Sequence, residues 1–248
     1  MLKLKIAVIS GASSGIGLEF AKLLDNYCLD ELWLISRNEN KLNELSKSFK
    51  TKTRNISVDL SESAAYEHIK KLLKQISPEI RFLICSAGVG YNGQLSDLNE
   101  NKIIETISLN CTSLTLLNRL SLDYLSKDSR IINISSGAAF IPQPYFSVYA
   151  ASKSYVNSFS LALNKELKSK KAYVTTICPG PVDTPFFSSL ENVKEYKKKF
   201  IISPKSVATG AIKASKRKKR IYTPTLAIKI VQIASKILPT SILLKFYK

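Results

Sequence analysis

The run Leu4-Lys5-Ile6-Ala7-Val8-Ile9-Ser10-Gly11-Ala12-Ser13-Ser14-Gly15-Ile16-Gly17, continued by Leu18-Glu19-Phe20-Ala21-Lys22-Leu23-Leu24, decides the fold. Leu4 to Ile9 is a strand candidate, and Leu18 to Leu24 has helical spacing. Glycines between them let the backbone turn tightly and come close to a pyrophosphate. The free amides and the positive dipole end of the following helix then receive the anion. The spacing is Gly-x-x-x-Gly-x-Gly, not Gly-x-Gly-x-x-Gly. A glycine-rich turn without a ligand is the plain alternative, and the flanking strand and helix count against it.

Downstream, Glu31 to Ser36 is a second strand that ends at Arg37. In a nucleotide-binding βαβ unit an acid at this distance holds the ribose 2′-hydroxyl, whereas an arginine accommodates a 2′-phosphate. No acid occupies position 36, 37 or 38, so Arg37 argues for NADP(H) over NAD(H). A solvated arginine at a strand end is the other reading. Asn38 could add a hydrogen bond to the same phosphate. Asn55 to Val58 is a third strand. Asp59, followed by Leu60, either accepts from an adenine amino group or caps a helix that starts near Ser61 or Ser63. Arg81 to Cys85 is a fourth strand, and the small residues Ser86-Ala87-Gly88 let a flat ring lie against the backbone. His68 sits in a polar helix, Ser63 to Gln75, and reads as merely exposed.

Two more strands, Arg130 to Ser135 and Tyr173 to Cys178, follow, the second leading into Pro179-Gly180-Pro181-Val182-Asp183-Thr184-Pro185. Strands that alternate with helices predict an α/β fold with a Rossmann-type, doubly wound parallel sheet in three layers, α/β/α. Ligands in such sheets bind beyond the carboxyl ends of the strands. Gly11 to Gly17, Asp59, Gly88, Ser136 and Thr184 all fall there. The expected organisation is a single domain over residues 1–223, with a substrate lid loop at 185–203 and a basic amphipathic extension at 224–248.

Chemistry concentrates between Ser136 and Lys153. Tyr149 and Lys153 lie four positions apart at the start of a helix-forming run, on one face and one turn apart. A fixed ammonium beside a phenol favours the phenolate, so a lowered Tyr149 pKa is expected. A phenol poised nearer neutrality can act as a general acid or base. Ser136 could offer its hydroxyl to the same substrate oxygen. A chance surface pair is the bland reading. Asn101 to Leu125 reads as one long helix interrupted by Asn110. A buried asparagine needs partners, so Asn110 is either a satisfied packing residue or a water-binding group behind Lys153. Phe186 and Phe187 begin the loop over the site, and Phe140, Ile141, Tyr145 and Phe146 line its other side. This suggests an apolar substrate, and Lys194 with Lys197 to Lys199 suits an acidic end on it. Aromatics that only pack the lid are the alternative.

Composition narrows the field. The chain has 248 residues, 45% of them hydrophobic, enough for one sizeable core. Its four cysteines form no Cys-x-x-Cys pair and it has one histidine, which argues against a metal site. They read as reduced, in a cytoplasmic setting. The apolar run at the N-terminus is too short for a secretory signal, and none reaches the ~18 residues of a membrane span. Charge is lopsided: Lys194 to Lys248 holds 15 Lys and Arg and one acid within a chain of net +18. Thr225 to Leu238 has helical spacing, with Thr225, Lys229, Gln232 and Lys236 in a narrow polar stripe and apolar residues elsewhere. Beside Lys216-Arg217-Lys218-Lys219-Arg220 this is the pattern of a peripheral contact with an anionic membrane. The other reading packs the helix on the domain or on a sister subunit. Nucleic acid is disfavoured, because no base-reading aromatics accompany the cluster.

Taken together, Gly11-Ala-Ser-Ser-Gly-Ile-Gly17, Asp59-Leu60, Ala87-Gly88, Asn110, Ile134-Ser-Ser136, Tyr149-Ala-Ala-Ser-Lys153 and Pro179-Gly180 stand in the order of the short-chain dehydrogenase/reductase family, which residues 1–185 resemble. The resemblance implies a catalytic tetrad of Asn110, Ser136, Tyr149 and Lys153. In it Tyr149 exchanges a proton with a carbonyl or alcohol oxygen, and Ser136 orients that oxygen. Lys153 binds the nicotinamide ribose, and Asn110 holds a water in a proton relay. The main chain near Val182 and the hydroxyl of Thr184 would hold the carboxamide. It further implies a homodimer or homotetramer built on the Asn101–Leu125 and Tyr149–Lys168 helices. Ser10 replaces the family's usual threonine, and Cys85-Ser86 replaces Asn-Asn, a change expected to weaken that turn. A non-catalytic cofactor-binding sensor, or an epimerase or dehydratase on the same fold, are the competing functions.

Overall fold

A computed structural model describes residues 3–190 and 200–245. In β1 (Lys5–Ser10) alternate side chains serve opposite layers. Ile6 and Val8 join one core with Trp33 and Ile35, whereas Ala7 and Ile9 join a second with Leu32 and Leu34. A strand buried on both faces needs helices on both, and the chain supplies them in turn.

The order is β1, α1 (Gly15–Leu24), β2 (Glu31–Ser36), α2 (Glu39–Ser46), β3 (Lys52–Ser57), α3 (Ser63–Ile76) and β4 (Glu79–Cys85). Then come α4 (Glu100–Ile107), a π-helical segment (Ser108–Thr112), α5 (Ser113–Ser121), β5 (Leu125–Ile134), α6 (Ser147–Glu166) and β6 (Tyr173–Ile177). The short α7 (Pro185–Ser188), α8 (Pro204–Lys216), β7 (Ile221–Tyr222), α9 (Leu226–Ile237) and α10 (Thr240–Lys245) complete it. The sheet is parallel throughout, in the order β3-β2-β1-β4-β5-β6-β7. Leu73 of α3, Leu117 of α5 and Val156 of α6 fill the first core. Phe20 of α1, Leu42 of α2 and Ala211 of α8 fill the second. The fold is therefore the expected Rossmann-type α/β/α sandwich, and its strand order reverses between β1 and β4, the position at which sheets of this kind form their ligand crevice.

Three details differ from the sequence expectation. The long helix at 101–125 is broken: the π segment carries Asn110, a 3₁₀ turn follows Ser121, and Leu125 already belongs to β5. Helix α2 was not expected, because only Leu42 of its eight residues is buried and no apolar stripe announces it. Strands β3 and β5 start earlier, at Lys52 and Leu125. Polar residues there pair with their neighbours at the sheet's amino end, where alternation is weak.

Candidate active site

The glycine turn is built for close approach. A Cβ at Gly17 would lie 2.2 Å from the Gly11 carbonyl oxygen, and one at Gly11 would lie 2.9 Å from the Ala87 nitrogen. Gly11 (φ +67°) and Gly15 (φ +54°) take left-handed conformations that favour glycine. Ser14 precedes α1 yet makes no side-chain cap, so the first-turn amides, with those of Ile16 and Gly17, are left for a ligand. This cradle fits a pyrophosphate. Ser13 Oγ instead accepts from Ser36 Oγ at 2.7 Å and ties the turn to the end of β2. Ser10 Oγ ties the turn after β4 to β1 by accepting from the amides of Ser86 and Ala87 at 3.1 and 3.2 Å. Cys85 Sγ in turn accepts from Asn118 Nδ2 at 3.5 Å.

At the other end of the crevice, Arg37 Nη1 lies 3.6 Å from Asp59 Oδ2 and 3.4 Å from Glu105 Oε1. Asn38 caps α2 by accepting from the Lys41 amide at 2.9 Å. Asp59 Oδ1 accepts from the amide and hydroxyl of Ser61, so it caps that turn while its second oxygen faces Arg37. Burial pushes the Asp59 carboxyl up, but the Ser61 bonds and Arg37 outweigh it and hold the pKa below the usual range. Leu60 is buried, and its carbonyl accepts from the Tyr66 hydroxyl.

The proposed chemical residues converge between these ends. Tyr149 is only 7% exposed. Its ring stacks on Phe146 (centroids 4.3 Å apart) and on Phe186 (5.5 Å), and it lies so close to Gly90 that a Cβ there would meet Tyr149 Cδ2 at 2.4 Å. Lys153 is buried one turn on. Its Nζ donates to the Ile134 carbonyl at 3.1 Å and sits 5.6 Å from the centroid of the Tyr149 ring. Gly88 closes the floor: a Cβ there would lie 2.8 Å from Asn110 Oδ1 and 3.3 Å from Lys153 Nζ. Asn110 Oδ1 accepts from the Val89 amide at 3.0 Å, and its Nδ2 donates to the Val89 carbonyl and Ser152 Oγ at 2.8 and 2.9 Å. Ser152 Oγ in turn donates to the Tyr149 carbonyl. Ser136 Oγ accepts from the Ala138 amide at 3.1 Å.

The expected lowering of the Tyr149 pKa is not what this packing produces. Burial pushes it up to about 12, and the Ser136 hydroxyl pulls the other way without prevailing. The ammonium of Lys153 is turned to the Ile134 carbonyl, so helical spacing alone did not bring it to the phenol oxygen. Burial also lowers Lys153 itself to about 8. At neutral pH the phenol therefore carries its proton, which is the form that can donate one.

The segment after β6 lies across the crevice. Thr184 caps α7, its Oγ1 donates to the Val182 carbonyl at 3.2 Å, and its methyl group approaches Gly15. The Pro179 carbonyl accepts from the Gly137 amide at 2.7 Å. Gly137 and Gly180 both lie under Ile228 of α9, at 2.8 and 3.3 Å from the ideal Cβ positions. One side of α9 thus packs on the domain beside Ser136. Its other side, Leu226, Ile230, Ile233 and Ile237, is exposed. Among the expected substrate contacts, Phe186 meets Tyr149 and Phe187 sits in α7. Phe140 lines a groove of about 460 Å³ with Ala150 and Leu244, and Tyr145 is 63% exposed. Val193, Lys194, Tyr196, Lys197 to Lys199, Phe246 and Tyr247 lie outside the described residues. Sequence reasoning missed Ser152, Gly90, Tyr91 and Glu105. Ser152 was visible inside Tyr149-Ala-Ala-Ser-Lys153, but Glu105 looks like any charge on a helix surface.

Residues 5–195 match the family model of short chain dehydrogenases. The very-long-chain 3-oxoacyl-CoA reductase of Mus musculus is 35% identical over 189 residues, 72% of this chain and 59% of that enzyme. Among solved structures, the short-chain dehydrogenase from Sphingobium yanoikuyae in complex with NADPH has a TM-score of 0.80 at 24% identity, with 94% of this chain and 92% of that one covered. A short-chain dehydrogenase/reductase from Burkholderia phymatum in complex with NAD has a TM-score of 0.82 at 20% identity, with 95% and 94% covered. This chain belongs to the short-chain dehydrogenase family and is an oxidoreductase of that family.

Proposed function

We propose that the protein uses NADP(H) to interconvert a carbonyl and an alcohol on an apolar, lipid-like substrate. The observation that carries this is the buried Tyr149, packed beside Ser136 and Lys153 over the Gly88–Gly90 floor and next to the glycine cradle. When bound, the nicotinamide supplies or accepts the hydride. The chain's own part is to hold and move a proton. A neutral Tyr149 phenol would give its proton to the substrate oxygen, Ser136 Oγ would orient that oxygen, and Lys153 would bind the ribose. Asn110 would keep the Gly88–Val89 floor and α6 in register through Val89 and Ser152. Because the phenol is protonated at neutral pH, and cellular NADPH is generally kept reduced, carbonyl reduction is the working direction.

Arg37 supports NADP(H), since no acid occupies positions 36 to 38 at the end of β2. Phe146 and Phe186 around Tyr149 support an apolar substrate, in keeping with the long-chain acyl substrate in the mouse relative's name. The exposed apolar side of α9 and the basic tail support peripheral attachment to an anionic membrane on the cytoplasmic side. The exposed Ile104 and Ile107 on α4 and Tyr155 and Leu161 on α6 support a homodimer or homotetramer through those helices. The test is NADPH oxidation against a panel of aldehydes, ketones and 3-oxoacyl thioesters. Tyr149→Phe should lower turnover by roughly a thousandfold or more while NADPH still binds. Near-normal activity in that variant would refute the assignment.

A further inference from the structure

The adenosine end of the crevice holds a carboxylate that the sequence order hides. Strand β2 ends without an acid, yet Glu105 reaches the same place from α4, 68 positions away in the chain. Its Oε1 lies 3.4 Å from Arg37 Nη1, and its Oε2 accepts from the Tyr91 hydroxyl at 2.6 Å. The Tyr91 ring is itself covered by Lys102 Nζ, 5.0 Å from the centroid. Glu105 is thus anchored by Tyr91 apart from its pairing with Arg37, whose own side chain is 60% exposed. The same guanidinium nitrogen also faces Asp59 Oδ2 at 3.6 Å, so two carboxylates share one cation.

We propose that Glu105 is a specificity-determining residue for the coenzyme. It holds Arg37 by an ion pair and so weakens the preference for a 2′-phosphate over a 2′-hydroxyl. The proposal rests on the NADP(H) reading of Arg37. A phosphate dianion that takes Arg37 must draw it from Glu105 and then sit beside the anchored carboxylate, and both effects cost affinity. A ribose hydroxyl carries no charge, and it can donate to a carboxylate as it would to an acid at the end of β2. The site therefore carries both kinds of recognition, one from β2 and one from α4. Glu105 acts on the phosphate mainly through Arg37, which makes it a positioning residue for that guanidinium. Exposed ion pairs are screened, so the effect is modest rather than a switch.

NADPH and NADH binding, followed by nicotinamide fluorescence at low ionic strength, tests this without a substrate. Glu105→Gln keeps the shape and the Tyr91 contact but removes the charge. It should tighten NADPH by roughly three- to tenfold and leave NADH unchanged or weaker. In an Arg37→Ala background most of that gain should vanish, because the cycle isolates the Glu105–Arg37 coupling. An equal change for both coenzymes, or the full gain without Arg37, overturns the role of Glu105 while the NADP(H) reading stands. If the unmodified protein binds both coenzymes alike and Arg37→Ala changes neither, the NADP(H) reading fails and takes this proposal with it.

Discussion

At the scale of single residues, one buried amine gives the folded state a pH signature. Burial holds Lys153 near 8 in the folded chain, below its ordinary 10.5. Between those values the unfolded chain binds more protons than the folded one, so Lys153 adds stability as pH rises through that window. Cys85, Cys178 and Tyr149 are pushed up to about 12 and oppose it at higher pH, so the absolute profile mixes several groups. A comparison with Lys153→Met cancels Cys85 and Tyr149 and leaves of Cys178 only the change from its lost attraction to the ammonium. In urea denaturation the unmodified protein should gain on that variant by about 2 kcal/mol between pH 7 and 10. A pH-independent gap would mean that Lys153 is not held below its ordinary value. Which residues meet in the crevice was its most legible part: Tyr149, Lys153, Ser136 and the glycines were singled out by spacing taken together with the ordered family motifs. Their electrostatics were not legible. A helical offset puts two side chains on one face, but which atom the ammonium meets depends on the Ile134 carbonyl, contributed by strand β5.

At the scale of elements, the π segment Ser108–Thr112 interrupts an otherwise α-helical run at Asn110. The asparagine is 1% exposed, and its amide satisfies both backbone groups of Val89 and the hydroxyl of Ser152. Asn110→Ala would take this partner from the partly buried Val89 amide and carbonyl, leave Ser152 with only its bond to the Tyr149 carbonyl, and open a cavity at a fully buried position. The expected cost is about 2–4 kcal/mol of unfolding free energy, with a matching loss of activity. Urea denaturation measures it, and a cost below 0.5 kcal/mol would show that the β4–α4–α6 junction does not depend on this side chain. Buried strands such as β1 and β2 were readable because their apolar runs are dense. Helix α2 was not, because its single buried residue leaves no periodicity. The break at 108–112 was also hidden, since π and α turns bury similar faces over so short a length.

At the scale of the whole molecule, the alternation of strands and helices sufficed to give the three layers, but not the two-sidedness of α9. Its apolar surface is wide enough to serve twice. Ile228 packs inward, while Leu226, Ile230, Ile233 and Ile237 form an outward stripe with Lys229 and Lys236 exposed beside it. From Lys194 onward the chain has 15 basic residues and one acid, so an anionic surface would be drawn to this end. No helix among the described residues is long and apolar enough to cross a membrane. The protein should therefore float with phosphatidylglycerol-rich vesicles at low salt but not with neutral ones. Leu226→Glu with Ile237→Glu should abolish flotation without altering NADPH affinity. Failure of the unmodified chain to float would dismiss the membrane contact.

The seat of Ile228 on Gly137 and Gly180 makes the tail part of the wall behind Ser136. A chain cut after residue 223 would lose that plug and bare two backbone segments that carry no side chain of their own. Surface charge on α9 could drift over evolutionary time, whereas bulk at position 228 and its absence at 137 and 180 would have to change together.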